Sequence, residues 1–66
     1  MKKILVNKKS GEVVAYTIIT GFDSDYLNED EILDNRLQTA IDGQIINDDM
    51  YIWMDSKKNV KGLILI

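Results

Sequence analysis

Asn28-Glu29-Asp30-Glu31-Ile32-Leu33-Asp34-Asn35-Arg36-Leu37-Gln38-Thr39-Ala40-Ile41-Asp42-Gly43 is the stretch on which the fold turns. Its spacing predicts a helix over about Glu29–Asp42. Asn28 can serve as N-cap, because its short side chain accepts a hydrogen bond from an orphaned backbone N–H. Glu31 falls at the third helical position of a capping box, and Leu27 and Ile32 form the hydrophobic-staple pair. Leu33, Leu37, Ala40 and Ile41 follow at i, i+4, i+7 and i+8, one amphipathic stripe. Glu29, Asp30 and Glu31 offset the positive end of the helix dipole. Gly43 is expected as the left-handed residue that ends the helix.

Outward from this helix the chain reads as β on both sides. Residues 2–7 are apolar and β-branched, which suits a strand. Lys8-Lys9-Ser10-Gly11 is a turn, with Gly11 left-handed in a three-residue loop closing on a bulge. Residues 12–20 return. Lys8 then faces Glu12, Val6 faces Val14 and Ile4 faces Tyr16. One face carries Ile4, Val6, Val14, Tyr16 and Ile18. The other carries Lys3, Leu5, Asn7, Val13, Ala15, Thr17 and Ile19. The first set is the cleaner and is expected to be the core under the helix. A shift of one residue would scramble the assignment.

Residues 21–27 read as a polar loop and 44–49 as a connector, with a turn at Asn47-Asp48-Asp49. Residues 50–55 form a third strand. A turn over 56–59 follows, with Asn59 in the role of Gly11, and then a fourth strand over 60–66. That register sets Asp55 against Lys61, Trp53 against Leu63, Ile52 against Ile64 and Tyr51 against Leu65. The expected fold is α+β in the order ββαββ: two hairpins flank one helix, which lies across one face of an antiparallel sheet. Residues 1–66 make a single small domain.

The second hairpin is apolar on both sides. Met50, Ile52, Met54, Ile64 and Ile66 line one side, and Tyr51, Trp53, Leu63 and Leu65 the other. A strand wetted on one face should alternate apolar with polar. One helix covers one sheet face, so an uncovered apolar set is left over that is too large for incidental surface. Tyr51, Trp53, Leu63 and Leu65 are therefore the expected interface. For Trp53 and Tyr51 the alternatives are core, the default for strand aromatics, and interface anchor, a role in which both residue types are enriched.

The chain of 66 residues has no Cys and no His, and a net charge of −3. So short a chain buries only about 60% of the surface its unfolded form exposes, and small domains commonly add disulfides, metal or association. Thiolate and imidazole chemistry are excluded by composition, which leaves association. The acidic balance argues against a nucleic-acid-backbone binder, which needs a basic stripe. The apolar run after Met1 is too short for a signal peptide, and that at 63–66 is too short to span a bilayer. A complete, soluble, cytoplasmic gene product with no membrane partner is expected.

Asp23, Asp25, Glu29, Asp30, Glu31 and Asp34 crowd one stretch without a basic residue. They read either as a face for a basic partner or as helix capping plus solvated surface. An EF-hand loop starting at Asp23 fails, because Leu27 and Asn28 fall where a ligand and a glycine are required. No metal or cofactor is expected. Ser10 and Ser56 sit beside lysines in ordinary turns, no glycine-rich phosphate loop occurs, and the small core leaves little room for a ligand pocket. The protein is expected not to be an enzyme.

Met1-Lys2-Lys3-Ile4-Leu5-Val6-Asn7-Lys8, followed by Gly11-Glu12-Val13-Val14-Ala15-Tyr16, resembles the start of small uncharacterised accessory proteins of bacteriophages and prophages of Gram-positive bacteria. The similarity covers this first hairpin alone. It implies a phage accessory or structural protein, in the host cytoplasm or virion-associated, and assigns no site residue. The expected function is a non-enzymatic protein–protein interaction module that forms a homo-oligomer or docks on a larger assembly. The alternative is a small acidic inhibitor of a host nucleic-acid-binding protein.

Overall fold

The computed structural model describes residues 2–21, 28–58 and 61–66. Its elements are β1 (Lys2–Asn7), β2 (Val13–Ile18), α1 (Glu29–Asp42) and β3 (Tyr51–Asp55). β1 is the central strand, with β2 on one side and β3 on the other, both antiparallel to it. The α+β class holds, but the ββαββ pair of hairpins does not. β3 pairs with β1, setting Asp55 against Lys3, Trp53 against Leu5 and Tyr51 against Asn7. Residues 63–65 lie instead along the far edge of β2. There the Tyr16 N–H donates to the Leu63 carbonyl at 2.9 Å, the Leu65 N–H donates to the Tyr16 carbonyl at 2.8 Å, and Tyr16 and Ile64 form a parallel bridge. The Asp55–Lys61 pair that favoured the second hairpin is worth only some tenths of a kcal/mol. Pairing β3 with β1 instead helps seal Leu5, which is 0% exposed, and burying such a side chain is worth about 1.5–3 kcal/mol. The turn proposed around Asn59 lies outside the described residues, as do Asp23, Asp25, Leu27 and, Gly21 apart, the loop 21–27.

This strand order decides which face the helix covers. β2 and β3 are both antiparallel to β1, hence parallel to each other, and α1 is the crossover between them. Such crossovers are right-handed in about 98% of cases. The Asn7 N–H points to β2, bonding the Glu12 carbonyl, while the Lys8 N–H and the Lys2 carbonyl point to β3, bonding Met50 and Ser56. For L-residues that arrangement sets the odd-numbered side chains of β1 on the face that a right-handed crossover covers. Leu5, Ala15, Thr17 and Ile19 are accordingly buried. The expected core face of Ile4, Val6, Val14, Tyr16 and Ile18 is thus corrected to the opposite one. Two independent hairpins contain no crossover, so their sequence pattern carries no handedness. Val14 alone of that set packs against the core.

Val14 does so because the first hairpin carries a bulge. Ile4 faces Tyr16 as expected, but Val6 faces Val13 rather than Val14, after a register shift between Leu5 and Val6. Asn7 rather than Lys8 pairs with Glu12, so the loop spans 8–11. The Asn7 side-chain carbonyl accepts from the Lys9 and Ser10 N–H groups at 2.8 and 3.1 Å. Gly11 is left-handed, φ 74°, as expected.

The α1 cap at Asn28 and the capping box with Glu31 match their sequence signals. The Asn28 side chain accepts from the Glu31 N–H at 2.9 Å and donates to the Glu31 carboxylate at 3.0 Å. The end does not match. Gly43 has φ −80°, and the left-handed residue is Gln44, φ 58°. The Gln44 N–H bonds the Ile41 carbonyl at 3.0 Å and the Ile45 N–H bonds the Ala40 carbonyl at 2.9 Å. These are the paired bonds of a left-handed helix cap, with Gln44 in the position glycine favours. Gln44→Gly is expected to stabilise the fold by about 0.5–1 kcal/mol, since relief of the left-handed strain outweighs the added backbone freedom. Urea denaturation checks it, and a lower midpoint for the variant would contradict the assignment.

The core lies between α1 and the odd face of the sheet. Leu5, Ala15, Ala40 and Leu65 form one cluster and Ile19, Ile32 and Leu33 a second, with Trp53 packed against both.

Candidate functional site

Opposite the helix, the sheet presents its even face. The register aligns Ile64, Tyr16, Ile4 and Met54 in one row across the sheet, with Val13, Val6 and Ile52 in the row beside it and Ile18 and Lys2 on the other side. Val13, Ile18, Ile52, Met54 and Ile64 are 42–49% exposed, and Ile4, Val6 and Tyr16 are half-buried among their neighbours. An antiparallel sheet face in water is normally polar. Within the paired positions of β1, β2 and β3, the formal charge on this face is that of Lys2, at one end. Among its paired strand positions the polar side-chain groups are the Lys2 ammonium and the Tyr16 hydroxyl, so what their centre offers a partner is apolar area.

The residues expected at the interface are placed elsewhere. Leu65 is 4% exposed in the core, and Tyr51 and Trp53 are half-buried on the helix side. The Tyr51 hydroxyl donates to the Asn47 carbonyl at 2.8 Å, and the Trp53 indole N–H is buried without an acceptor among the described residues. Leu63 is exposed and supplies the carbonyl that joins 63–65 to β2. The expected patch of Tyr51, Trp53, Leu63 and Leu65 is therefore not an open surface, and the bare face is the one opposite.

The described acidic residues divide. Lys3 bridges the Glu29 and Asp55 carboxylates at 2.8 and 2.6 Å, tying the start of α1 to the end of β3. Bonding to Asp55 first, and to Glu29 next, holds the Lys3 ammonium above its ordinary pKa. Glu31 is occupied with the cap, while Asp30 and Asp34 are exposed. Asp49, absent from the expected acidic face, is held below its ordinary pKa, chiefly by the Met50 N–H and then by the Asn7 amide, which donates at 3.1 Å.

Sequence reasoning missed a polar group inside the core. Thr17 is 0% exposed, and its hydroxyl donates to the Leu65 carbonyl at 2.6 Å. Arg36 donates to that hydroxyl at 2.7 Å and to the Ile18 carbonyl at 2.8 Å. The signal was present: Arg36 lies at i+3 of Leu33, inside the apolar stripe. A solvent-open depression of about 510 Å³, lined by Ile41, Gln44, Ile46, Asn47 and Asp48, lies beyond the end of α1.

Among the described residues, no helix is long and apolar enough to cross a membrane and no His, Cys, Asp and Glu cluster could hold a metal ion. Compared with protein-family models, curated proteins and solved structures, the chain matches none of them.

Proposed function

We propose that this protein is a non-enzymatic interaction module that docks through the even face of its sheet. The carrying observation is the continuous apolar surface of Val13, Ile18, Ile52, Met54 and Ile64, each 42–49% exposed, around Ile4, Val6 and Tyr16. Monomeric proteins rarely leave so contiguous an apolar patch open unless it binds something. The resemblance of the first hairpin to phage and prophage proteins supports an accessory role in a phage-derived assembly, in the host cytoplasm or on the virion. A second reading, a small acidic inhibitor of a nucleic-acid-binding protein, draws on the exposed carboxylates of Asp30 and Asp34 on the opposite layer.

Salt and two variants separate the readings. The immobilised protein is presented to lysate of the source cell, beside Ile52→Asp/Met54→Asp and Asp30→Asn/Asp34→Asn. Docking on the sheet face predicts retention that survives high salt and is lost only with the first variant. Acidic mimicry predicts loss with the second variant and with salt, since exposed charges are screened within about 8 Å at physiological ionic strength. Retention unaffected by Ile52→Asp/Met54→Asp would end the first reading.

A further inference from the structure

Resting on that reading, we infer that the occupant of the even face is a second copy of this chain, packed sheet against sheet. The first support is area. The chain exposes 4795 Å², whereas a compact monomer of 7.6 kDa exposes about 4,300 Å². The excess, on the order of 500 Å² against that scaling, belongs to the whole chain, and the even face holds part of it, since Val13, Ile18, Ile52, Met54 and Ile64 are each 42–49% exposed. The face itself spans three strands and the 63–65 segment, about 19 Å by 17–20 Å from strand spacing and rise. Two such faces bury on the order of 700 Å² of flat area together, which side-chain relief brings toward the roughly 1,000 Å² at the lower end for a biological interface.

The second support is charge. The even face is almost uncharged, so a second copy sets no like charges against one another at its centre. With the strands of the two copies running in opposite directions, the two Lys2 residues lie at opposite ends of the interface. Asp30, Glu31 and Asp34 sit on the helix layer. In a helix–sheet–sheet–helix stack with layers about 10 Å apart, the two helix layers are about 30 Å apart. That exceeds the screening length of about 8 Å, so the carboxylates of Asp30, Glu31 and Asp34 on the two copies do not oppose pairing. Two twisted sheets packed face to face at that spacing make an ordinary sandwich core, and a two-fold pair closes without leaving a further copy of the face exposed.

Sedimentation equilibrium across the micromolar range tests this on the wild-type chain, Met54→Glu and Ile18→Glu, with far-ultraviolet circular dichroism to confirm that each is folded. The wild-type chain should show twice the monomer mass. Both variants should be folded monomers, because the substituted side chains are already close to half exposed. Mixed samples of isotope-labelled and unlabelled chain should give intermolecular contacts between the methyl groups of Ile4, Ile52 and Met54, and none from Leu5. A wild-type monomer throughout the range overturns the inference, as does a dimer that survives both variants or whose contacts run through β3 backbone amides. A monomer that still retains a salt-resistant partner in the capture experiment overturns the second copy alone. A monomer with no such retention removes the docking reading as well.

Discussion

Leu5→Ala is expected to cost about 3–4 kcal/mol, from lost transfer energy plus the cavity left in a core that relaxes only partly. Leu5 is 0% exposed at the centre of the middle strand, packed with Ala15, Ala40 and Leu65 and beneath Trp53. Its neighbours in the cluster are small or on other elements, so none can swing in to fill the gap. A domain of 66 residues has a total stability of only about 3–10 kcal/mol. The substitution should therefore remove about a third of it or more, and the variant should unfold well below the wild-type temperature on warming. Ile52→Ala, on the even face and 46% exposed, should cost less than about 1 kcal/mol in the isolated fold. Urea unfolding of both variants in the Met54→Glu background, which is expected to be a folded monomer, compares them free of association, which adds to apparent stability. Equal effects would mean that the two faces are not core and surface as described.

Thr17→Val should cost about 2 kcal/mol, within the range for leaving a buried polar group without its partner. Valine matches threonine in shape, so the change removes hydrogen bonds and leaves the packing nearly intact. The Leu65 carbonyl loses the donor that reaches it at 2.6 Å, and Arg36 keeps the Ile18 carbonyl but loses the hydroxyl acceptor at 2.7 Å. Thr17→Ser retains the hydroxyl and gives up one methyl, an expected cost nearer 1 kcal/mol. The effect should be local as well as global. The Leu65 amide, bonded to the Tyr16 carbonyl at 2.8 Å, should exchange with solvent markedly faster in Thr17→Val while amides of β1 change little. Stability equal to wild type, with unchanged exchange at Leu65, would mean that the hydroxyl does not hold 63–65 to the sheet.

The features legible in the sequence depend on residues a few positions apart. The α1 N-cap is one, where Asn28 meets Glu31. The left-handed Gly11 is another, and so is the Ile4–Tyr16 pairing that the first turn sets. The surplus of apolar strand positions over what one helix can cover was also countable, so the existence of a bare face could be read before its residues were known. Tertiary structure decided the rest. Whether 63–65 lay against β3 or against β2 depended on burial beneath α1 and on the Thr17 hydroxyl, both contacts distant in sequence. The left-handed position moved from Gly43 to Gln44 because the last carbonyls to be capped were those of Ala40 and Ile41. Above all, the choice of face followed from the handedness of the β2–α1–β3 crossover. Handedness belongs to the path of the whole chain through space, and no residue pattern along either strand encodes it.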